Sequence, residues 1–334
     1  MSVAAVERAA RMRQVINLER ADRLSMGDYV WAEYRPDVYH LGEGEPLPPA
    51  GEIGLSRDGS RRVTRDGGVW PTDARERYRS HEDVLAADLE RFRPEEVAKP
   101  MLSRMAGLLA ERADRGFVVP LHYGTLISRA TIEFGWEPFL MASALEPERF
   151  ARVLDCFGAA SLALAQGWAQ TDGVELIAIH DDIAGTRGLM LSPDFLRRYC
   201  LPWYRCIFAA IHERGRKVLF VSDGNYLPFL DDMLTARPDG LYIESSSMDP
   251  AEFMRRAGPD RIYLIKTNNR TIDAGTPEEI RDELLALRDL HREHPGMMIY
   301  RGGGNPAPGN AEAFDRCYRE LLVYGGGGDP SGGE

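Results

Sequence analysis

From Gly116 onward the chain settles into a regular alternation of short apolar runs and amphipathic stretches of helical period. The runs occupy residues 117–121, 176–179, 217–221, 240–243, 262–265 and 297–300. Uninterrupted runs of this length suit strands buried on both faces, and the stretches between them suit right-handed crossover helices. Helices are expected over 147–170, 193–214, 226–236, 250–257 and 277–293. Six strand–helix units after residue 116, with one or two strands before it, predict an α/β fold of the (β/α)8 TIM-barrel type. An open doubly wound sheet is the alternative, but no Gly-x-Gly-x-x-Gly turn follows a first strand.

The first third is less regular. Residues 3–20 read as a helix, 28–34 as a first strand, and 81–91 and 95–115 as helices. Residues 42–72 are rich in Gly and Pro and hold two β-like pieces, Ile53-Gly54-Leu55 and Arg62-Val63-Thr64. Between them Arg57-Asp58-Gly59-Ser60 has hairpin-turn chemistry, so a β-hairpin insertion is expected there. Insertions of this length are often functional lids. The Gly/Ser/Pro/Asp tail 325–334 reads as disordered, leaving 1–324 as one barrel unit.

Composition narrows the class. The 334 residues, 44% hydrophobic and 28% charged, suit a soluble globular protein with a large core. With Asp+Glu 52 against Lys+Arg 41, the net charge of −11 excludes the basic face that a nucleic-acid partner requires. No run reaches the roughly 20 apolar residues of a membrane span, and residues 1–23 lack the apolar core of a secretory signal, so a cytoplasmic protein is expected. Cys156, Cys200, Cys206 and Cys317 have no zinc-site spacing and read as buried, reduced thiols. Only Lys99, Lys217 and Lys266 represent lysine, Arg having taken the other basic positions.

In such barrels chemistry gathers where strands end. The six runs lead into Leu121-His122-Tyr123, Ile179-His180-Asp181-Asp182, Val221-Ser222-Asp223-Gly224-Asn225, Ile243-Glu244-Ser245, Ile265-Lys266-Thr267-Asn268 and Tyr300-Arg301-Gly302. A common mouth would hold His180, Asp182, Asp223 and Lys266 as catalytic candidates. His122, Tyr123, Arg129, Arg187, Ser222, Asn225, Glu244, Asn268 and Arg301 would line it for substrate. His122 equally suits a satisfied position behind the site, and Asp181 a cap on the next turn. The run 301–305 suits either a phosphate cradle or a turn leaving room for a bulky ligand, the second being favoured because no Lys or Ser/Thr follows.

These residue types permit several chemistries. His180, Asp182, Asp223 and Glu244 offer nitrogen and oxygen ligands for Zn²⁺ or a harder divalent cation, the alternative being a metal-free hydrogen-bond network. A buried Asp182/Asp223 pair would repel, keeping one carboxyl protonated for proton transfer, with Arg129, Arg187 and Arg301 as carboxylate anchors. Lys266 would form a Schiff base if desolvated, or pair with Glu244. A non-catalytic binder is the remaining reading.

Asp181-Asp182-Ile183-Ala184-Gly185-Thr186-Arg187-Gly188 precedes Leu191-Ser192-Pro193 and Leu201-Pro202-Trp203. Ser222-Asp223-Gly224-Asn225, Gly275-Thr276-Pro277-Glu278-Glu279 and Gly302 to Asn305 with Pro308 and Asn310 follow in order. Over about 116–316 this series resembles the uroporphyrinogen decarboxylase superfamily, which also contains corrinoid-linked methyltransferases. The resemblance implies the same barrel, acting as a cofactor-free decarboxylase or as a methyltransferase on a small molecule, and a homodimer. It departs at two diagnostic places. Val30-Trp31-Ala32-Glu33-Tyr34-Arg35-Pro36 stands where the decarboxylases carry Arg-Gln-Ala-Gly-Arg-Tyr, which argues against an eight-carboxylate tetrapyrrole. Val221 and Asp223 stand where zinc methyltransferases carry His-X-Cys, and no Cys lies near Gly302 to Gly304, so the thiolate-rich zinc site is absent. An Asp-x-His-x-x-Gly cobalamin motif is also missing, since His294 stands where Asp289-Leu290-His291 would need Gly, so any corrinoid would arrive on a separate protein. Methyl or other one-carbon transfer is the first reading and decarboxylation the second.

Overall fold

Eight parallel strands close on themselves. They are β1 (Ser25–Asp28), β2 (Val38–Leu41), β3 (Phe117–Tyr123), β4 (Leu176–His180), β5 (Lys217–Val221), β6 (Gly240–Glu244), β7 (Ile262–Lys266) and β8 (Met297–Tyr300). Each pairs with its neighbours in sequence order, and β1 pairs with both β2 and β8. The structure, a computed structural model, describes residues 3–28, 38–41, 53–55, 61–65, 68–71, 77–112, 117–302 and 306–321.

Side chains alternate across these strands with period two. Phe117, Val119 and Leu121 share the barrel interior with Leu176, Ala178, Leu219, Val221, Tyr242, Leu264, Met298 and Tyr300. The residues between them, such as Val118, Ile177, Phe220, Ile243 and Ile265, pack outward against the helices. The N-terminal helix Val3–Ile16 sends Met12, Val15 and Ile16 into the interior cluster beside Phe117, Leu176 and Ile262, the residues that begin their strands. Lys217 Nζ donates to the Ile16 carbonyl at 2.7 Å, and Arg13 pairs with Glu175 at 2.7 Å. The end of the barrel where the strands begin is thereby covered.

The six strands after residue 116 lie where the apolar runs place them. The first strand does not: it is Ser25–Asp28, and residues 29–34 of the expected strand lie outside the described residues. Hydrophobicity draws the reading toward Val30 and Trp31. The interior positions of β1, paired with Met298 and Tyr300, are instead the small Ser25 and Gly27. The insertion forms an antiparallel sheet, Ile53–Leu55 against Arg61–Arg65, extended by a third strand, Gly68–Pro71. The expected helix 81–91 is only His81–Leu85, held by a Ser80/Asp83 capping box. Asp88 then accepts from the Glu90 N–H, turning the chain into a short 3-10 turn that buries Phe92. The next helix is Pro94–Arg112.

Helices Ile127–Phe134 and Trp136–Leu145 were not anticipated, and Gly135, at φ +76°, separates them. Pro202 has no N–H for the Arg198 carbonyl, and the backbone there widens into a π turn, Leu196–Cys200, closed by a Leu201 N–H to Leu196 carbonyl bond. Cys200 and Cys317 are buried as expected. Cys156 is half-buried and Cys206 exposed, because the helical period turns position 206 outward. The tail 325–334 lies outside the described residues. Among those residues no helix is long and apolar enough to cross a membrane.

His291, on the helix Pro277–Glu293, is fully buried. Burial and the charge of Arg20 hold its imidazole neutral, pushed down to about 4. The unfolded chain takes up that proton near pH 6.5, so the stabilising effect is complete above pH 6.5 and drains as pH falls toward 4. We expect a loss of about 3 kcal/mol across that window. Urea titrations across that window should show the wild type losing stability relative to His291→Leu by about that amount, since both proteins carry the slopes of every other group. Equal slopes would exclude His291 as its source.

Candidate active site at the open end of the barrel

The pleat sorts the polar strand ends into two groups. Tyr123, His180 and Val221 are aligned across β3, β4 and β5, and Glu244, Lys266 and Tyr300 across β6, β7 and β8. These positions share the parity of the interior side chains. The intervening His122, Ser222 and Thr267 have the parity of the helix-facing layer.

Asp182 is the hub of the mouth. Its Oδ1 lies 2.8 Å from His180 Nε2 and accepts the Asp223 N–H at 2.9 Å. Its Oδ2 accepts from the Tyr123 hydroxyl at 3.3 Å, and its own N–H donates to Ser128 Oγ at 2.7 Å. The Tyr123 ring meets the His180 imidazole edge to face, with centroids 4.4 Å apart. Asp223 Oδ1 accepts from the Tyr242 hydroxyl at 2.9 Å, and that hydroxyl lies 2.9 Å from the hydroxyl of Tyr300. Glu244 forms a separate ion pair with Lys266 at 3.1 Å, while its Oε2 accepts from the Gly224 N–H at 2.9 Å and Ser247 Oγ at 3.0 Å.

Charge is divided among these groups. Burial disfavours an imidazolium at His180, but the adjoining Asp182 carboxylate outweighs it and raises the imidazole above its ordinary value. Burial would likewise raise Asp182, yet the His180 charge and the hydrogen bonds it receives lower it. Asp223 goes up, through burial and repulsion by Asp182. Glu244 resists burial through Lys266 and stays below the usual carboxylate value. The mouth thus sets a His180–Asp182 pair whose members favour each other's charged forms and a Glu244–Lys266 ion pair beside a carboxyl, Asp223, that burial and repulsion push up.

Asp181 belongs to the supporting shell. Fully buried, it accepts from the Leu126 and Ser128 N–H groups at 3.1 and 2.7 Å, where the helix Ile127–Phe134 begins, and from the Tyr204 hydroxyl at 2.6 Å. Burial dominates these bonds and pushes its carboxyl up to about 6. Gly224, at φ +76°, passes so close to the small hairpin Ala184–Gly185/Gly188–Leu189 that a Cβ there would lie 2.6 Å from the Ala184 carbonyl oxygen.

Several expected site residues do not join this cluster. His122 Nε2 lies 2.8 Å from Ser161 Oγ on the helix Pro147–Ala169. With Arg129 it lines a cavity of about 10 Å³, room for about one water. Ser222 Oγ accepts the Ile183 N–H and donates to the Asp223 carbonyl, tying the two loops together. Asn225 and Asn268 turn their side-chain oxygens to the backbone N–H groups of Leu227 and Arg270. Arg187 is exposed at the hairpin tip, and Arg301 is half-buried just beyond β8. Tyr242, Tyr300 and Ser128 enter the cluster without having been singled out. Tyr242 was findable, since it stands two residues before Glu244 on the same face of β6.

Among the described residues, His180, Asp182 and Asp223 bring ligand atoms within 4.8 Å of one another, and Glu244 is not part of that group. His180 Nδ1 is buried with no hydrogen-bond partner among the described residues. These donors do not fit the thiolate zinc site of the methyltransferases; they fit a divalent cation that accepts one nitrogen and carboxylate oxygens.

The uroporphyrinogen decarboxylase (URO-D) family signature matches residues 127–305. A methyltransferase from Methanosarcina mazei shares the fold, with a TM-score of 0.62 at 16% identity over 94% of this chain and 98% of that one. A D-psicose 3-epimerase, whose structure was determined in the presence of D-fructose, gives a TM-score of 0.32 at 10% identity over 78% of this chain and 88% of that one. No curated protein matches the chain by sequence. The signature covers more than half of the 334 residues and every mouth residue except Tyr123. The chain belongs to the uroporphyrinogen decarboxylase (URO-D) family of barrel enzymes.

Proposed function

We propose that the protein transfers a methyl group, or another one-carbon unit, to or from a small molecule bound at the barrel mouth. The observation that carries this reading is the His180–Asp182 pair, 2.8 Å apart, with Asp223 beside it. In such a transfer the bond from a heteroatom to the methyl carbon breaks, and its electron pair stays on the heteroatom. The carbon gains its new bond from the incoming nucleophile, and the departing oxygen, nitrogen or sulfur needs a proton. His180, held as imidazolium by Asp182, supplies that proton and recovers it in the reverse direction. Tyr123 orients Asp182 from the rim, and Lys266 acts as the charge partner of Glu244. Were His180, Asp182 and Asp223 to hold a divalent cation, zinc or a harder ion, His180 would be a neutral ligand, and the cation would supply Lewis acidity toward the heteroatom in place of that proton. The fold shared with a methyltransferase supports the reading. Without a cobalamin motif of its own, the chain would exchange methyl groups with a corrinoid on a separate protein.

Elemental analysis of wild type and Asp223→Ala tests the site, alongside methyl transfer from methylated oxygen, nitrogen or sulfur compounds to free cob(I)alamin, and from methylcobalamin to the demethylated acceptors. We expect near-stoichiometric divalent metal in the wild type, metal largely lost from Asp223→Ala, and measurable transfer by the wild type. Metal-free wild type without methyl transfer would sink the proposal. A second reading, decarboxylation, draws on the raised Asp223: carbon dioxide leaves, the electron pair stays on carbon, and Asp223 supplies the proton. Its first assay is coproporphyrinogen formation from uroporphyrinogen; product there supports it, and a blank removes only the tetrapyrrole substrate that the Val30 to Pro36 segment already argues against.

A further inference from the structure

Two tyrosines beneath the mouth occupy positions that barrels of this type fill with branched aliphatic side chains. Tyr242 on β6 and Tyr300 on β8 face the interior, buried and stacked with ring centroids 5.9 Å apart and planes 22° apart. A buried phenol requires a hydrogen-bond partner, and the two hydroxyls, 2.9 Å apart, already supply one to each other. Tyr242 nevertheless makes a second bond, donating to Asp223 Oδ1 at 2.9 Å. Among the described residues this is the hydrogen bond that reaches the Asp223 side chain. It occupies Oδ1, and no described residue hydrogen-bonds Oδ2.

We propose that Tyr242 is a positioning residue for Asp223 and that Tyr300 acts only through Tyr242, holding its hydroxyl in line. The proposal rests on the reading of Asp223 as a ligand of a divalent cation. Partners one step behind a ligand typically contribute about 10–100-fold in metal affinity. Each Tyr→Phe change keeps the stacked ring and removes only the hydroxyl.

Zinc affinity is measured by competition with a chromophoric chelator for wild type, Tyr242→Phe, Tyr300→Phe and the double variant. We expect Tyr242→Phe to weaken zinc by about 10–100-fold. Its melting temperature should stay within about 4 °C of wild type, as suits one lost hydrogen bond in a chain this long. Tyr300→Phe should have a smaller effect, and the double variant should bind like Tyr242→Phe alone, because both hydroxyls act along one route. Zinc binding by Tyr242→Phe equal to wild type, or additive effects in the double variant, would overturn the proposal. Should Tyr242→Phe fail to fold, unchanged zinc affinity in Tyr300→Phe overturns it and a weakened one supports it. If wild type binds neither zinc nor manganese, measured in the same way, the metal reading fails by itself. Crystal structures then decide the positioning role: Asp223 turning away in Tyr242→Phe supports it, and an unmoved carboxylate overturns it.

Discussion

Replacing Asp181 by alanine is expected to cost the fold about 3–5 kcal/mol, a large part of the stability of an ordinary domain. Three donors converge on this carboxylate: the Leu126 and Ser128 N–H groups and the Tyr204 hydroxyl. Each would be left buried without an acceptor, at about 1–3 kcal/mol apiece, offset in part by water entering the space vacated. The damage should also reach the mouth, since Ser128 Oγ receives the Asp182 N–H. Denaturant titration at neutral pH measures it, as a lower midpoint with an unchanged slope. Asparagine should recover only a fraction, because its amide brings two further donors against the existing three. A loss below about 1 kcal/mol for Asp181→Ala would mean that the three bonds matter little.

Gly224→Ala should damage the site more than its size suggests. A left-handed backbone costs an alanine about 1–2 kcal/mol before any contact is counted. The added Cβ would lie 2.6 Å from the Ala184 oxygen, a backbone atom that no side-chain rotation can move aside. The loop must shift, carrying Asp223 on one side and the bond from Gly224 N–H to Glu244 on the other. Displacement of a catalytic group by about 1 Å costs about a hundredfold in rate. We expect turnover to fall by at least about that factor, with about 2–4 kcal/mol lost in stability. Turnover within about threefold of wild type, with unchanged stability, would show that the hairpin does not constrain Asp223.

The barrel was legible because strands buried on both faces leave continuous apolar runs, and six of them are present. β1 was not, since its neighbours require small interior residues at Ser25 and Gly27, which carry no hydrophobic signal. The mouth was legible in location. His180, Asp182, Asp223, Glu244 and Lys266 converge, and they do so because strand ends of a closed barrel share one rim. Selecting which residue of each strand end faces the mouth requires parity, and parity requires register. Counting back from the interior residues would have separated Tyr123 from His122 and Asp223 from Ser222. The same count would have found Tyr242 and Tyr300. The tie between Asp181 and Tyr204 lies beyond such counting, because it depends on how a helix widened by a π turn meets the strand ends.

The alternation at the strand ends also bears on how such a protein can change. In the pairs His122–Tyr123, Asp181–Asp182 and Ser222–Asp223, one member anchors the framework and its neighbour addresses the mouth. Anchoring and chemistry are adjacent in the chain but separable by mutation. A new reaction could be selected by varying residues 123, 180, 182, 223, 244 and 266 alone, with each anchoring neighbour retained to keep the rim in place while the reaction changes.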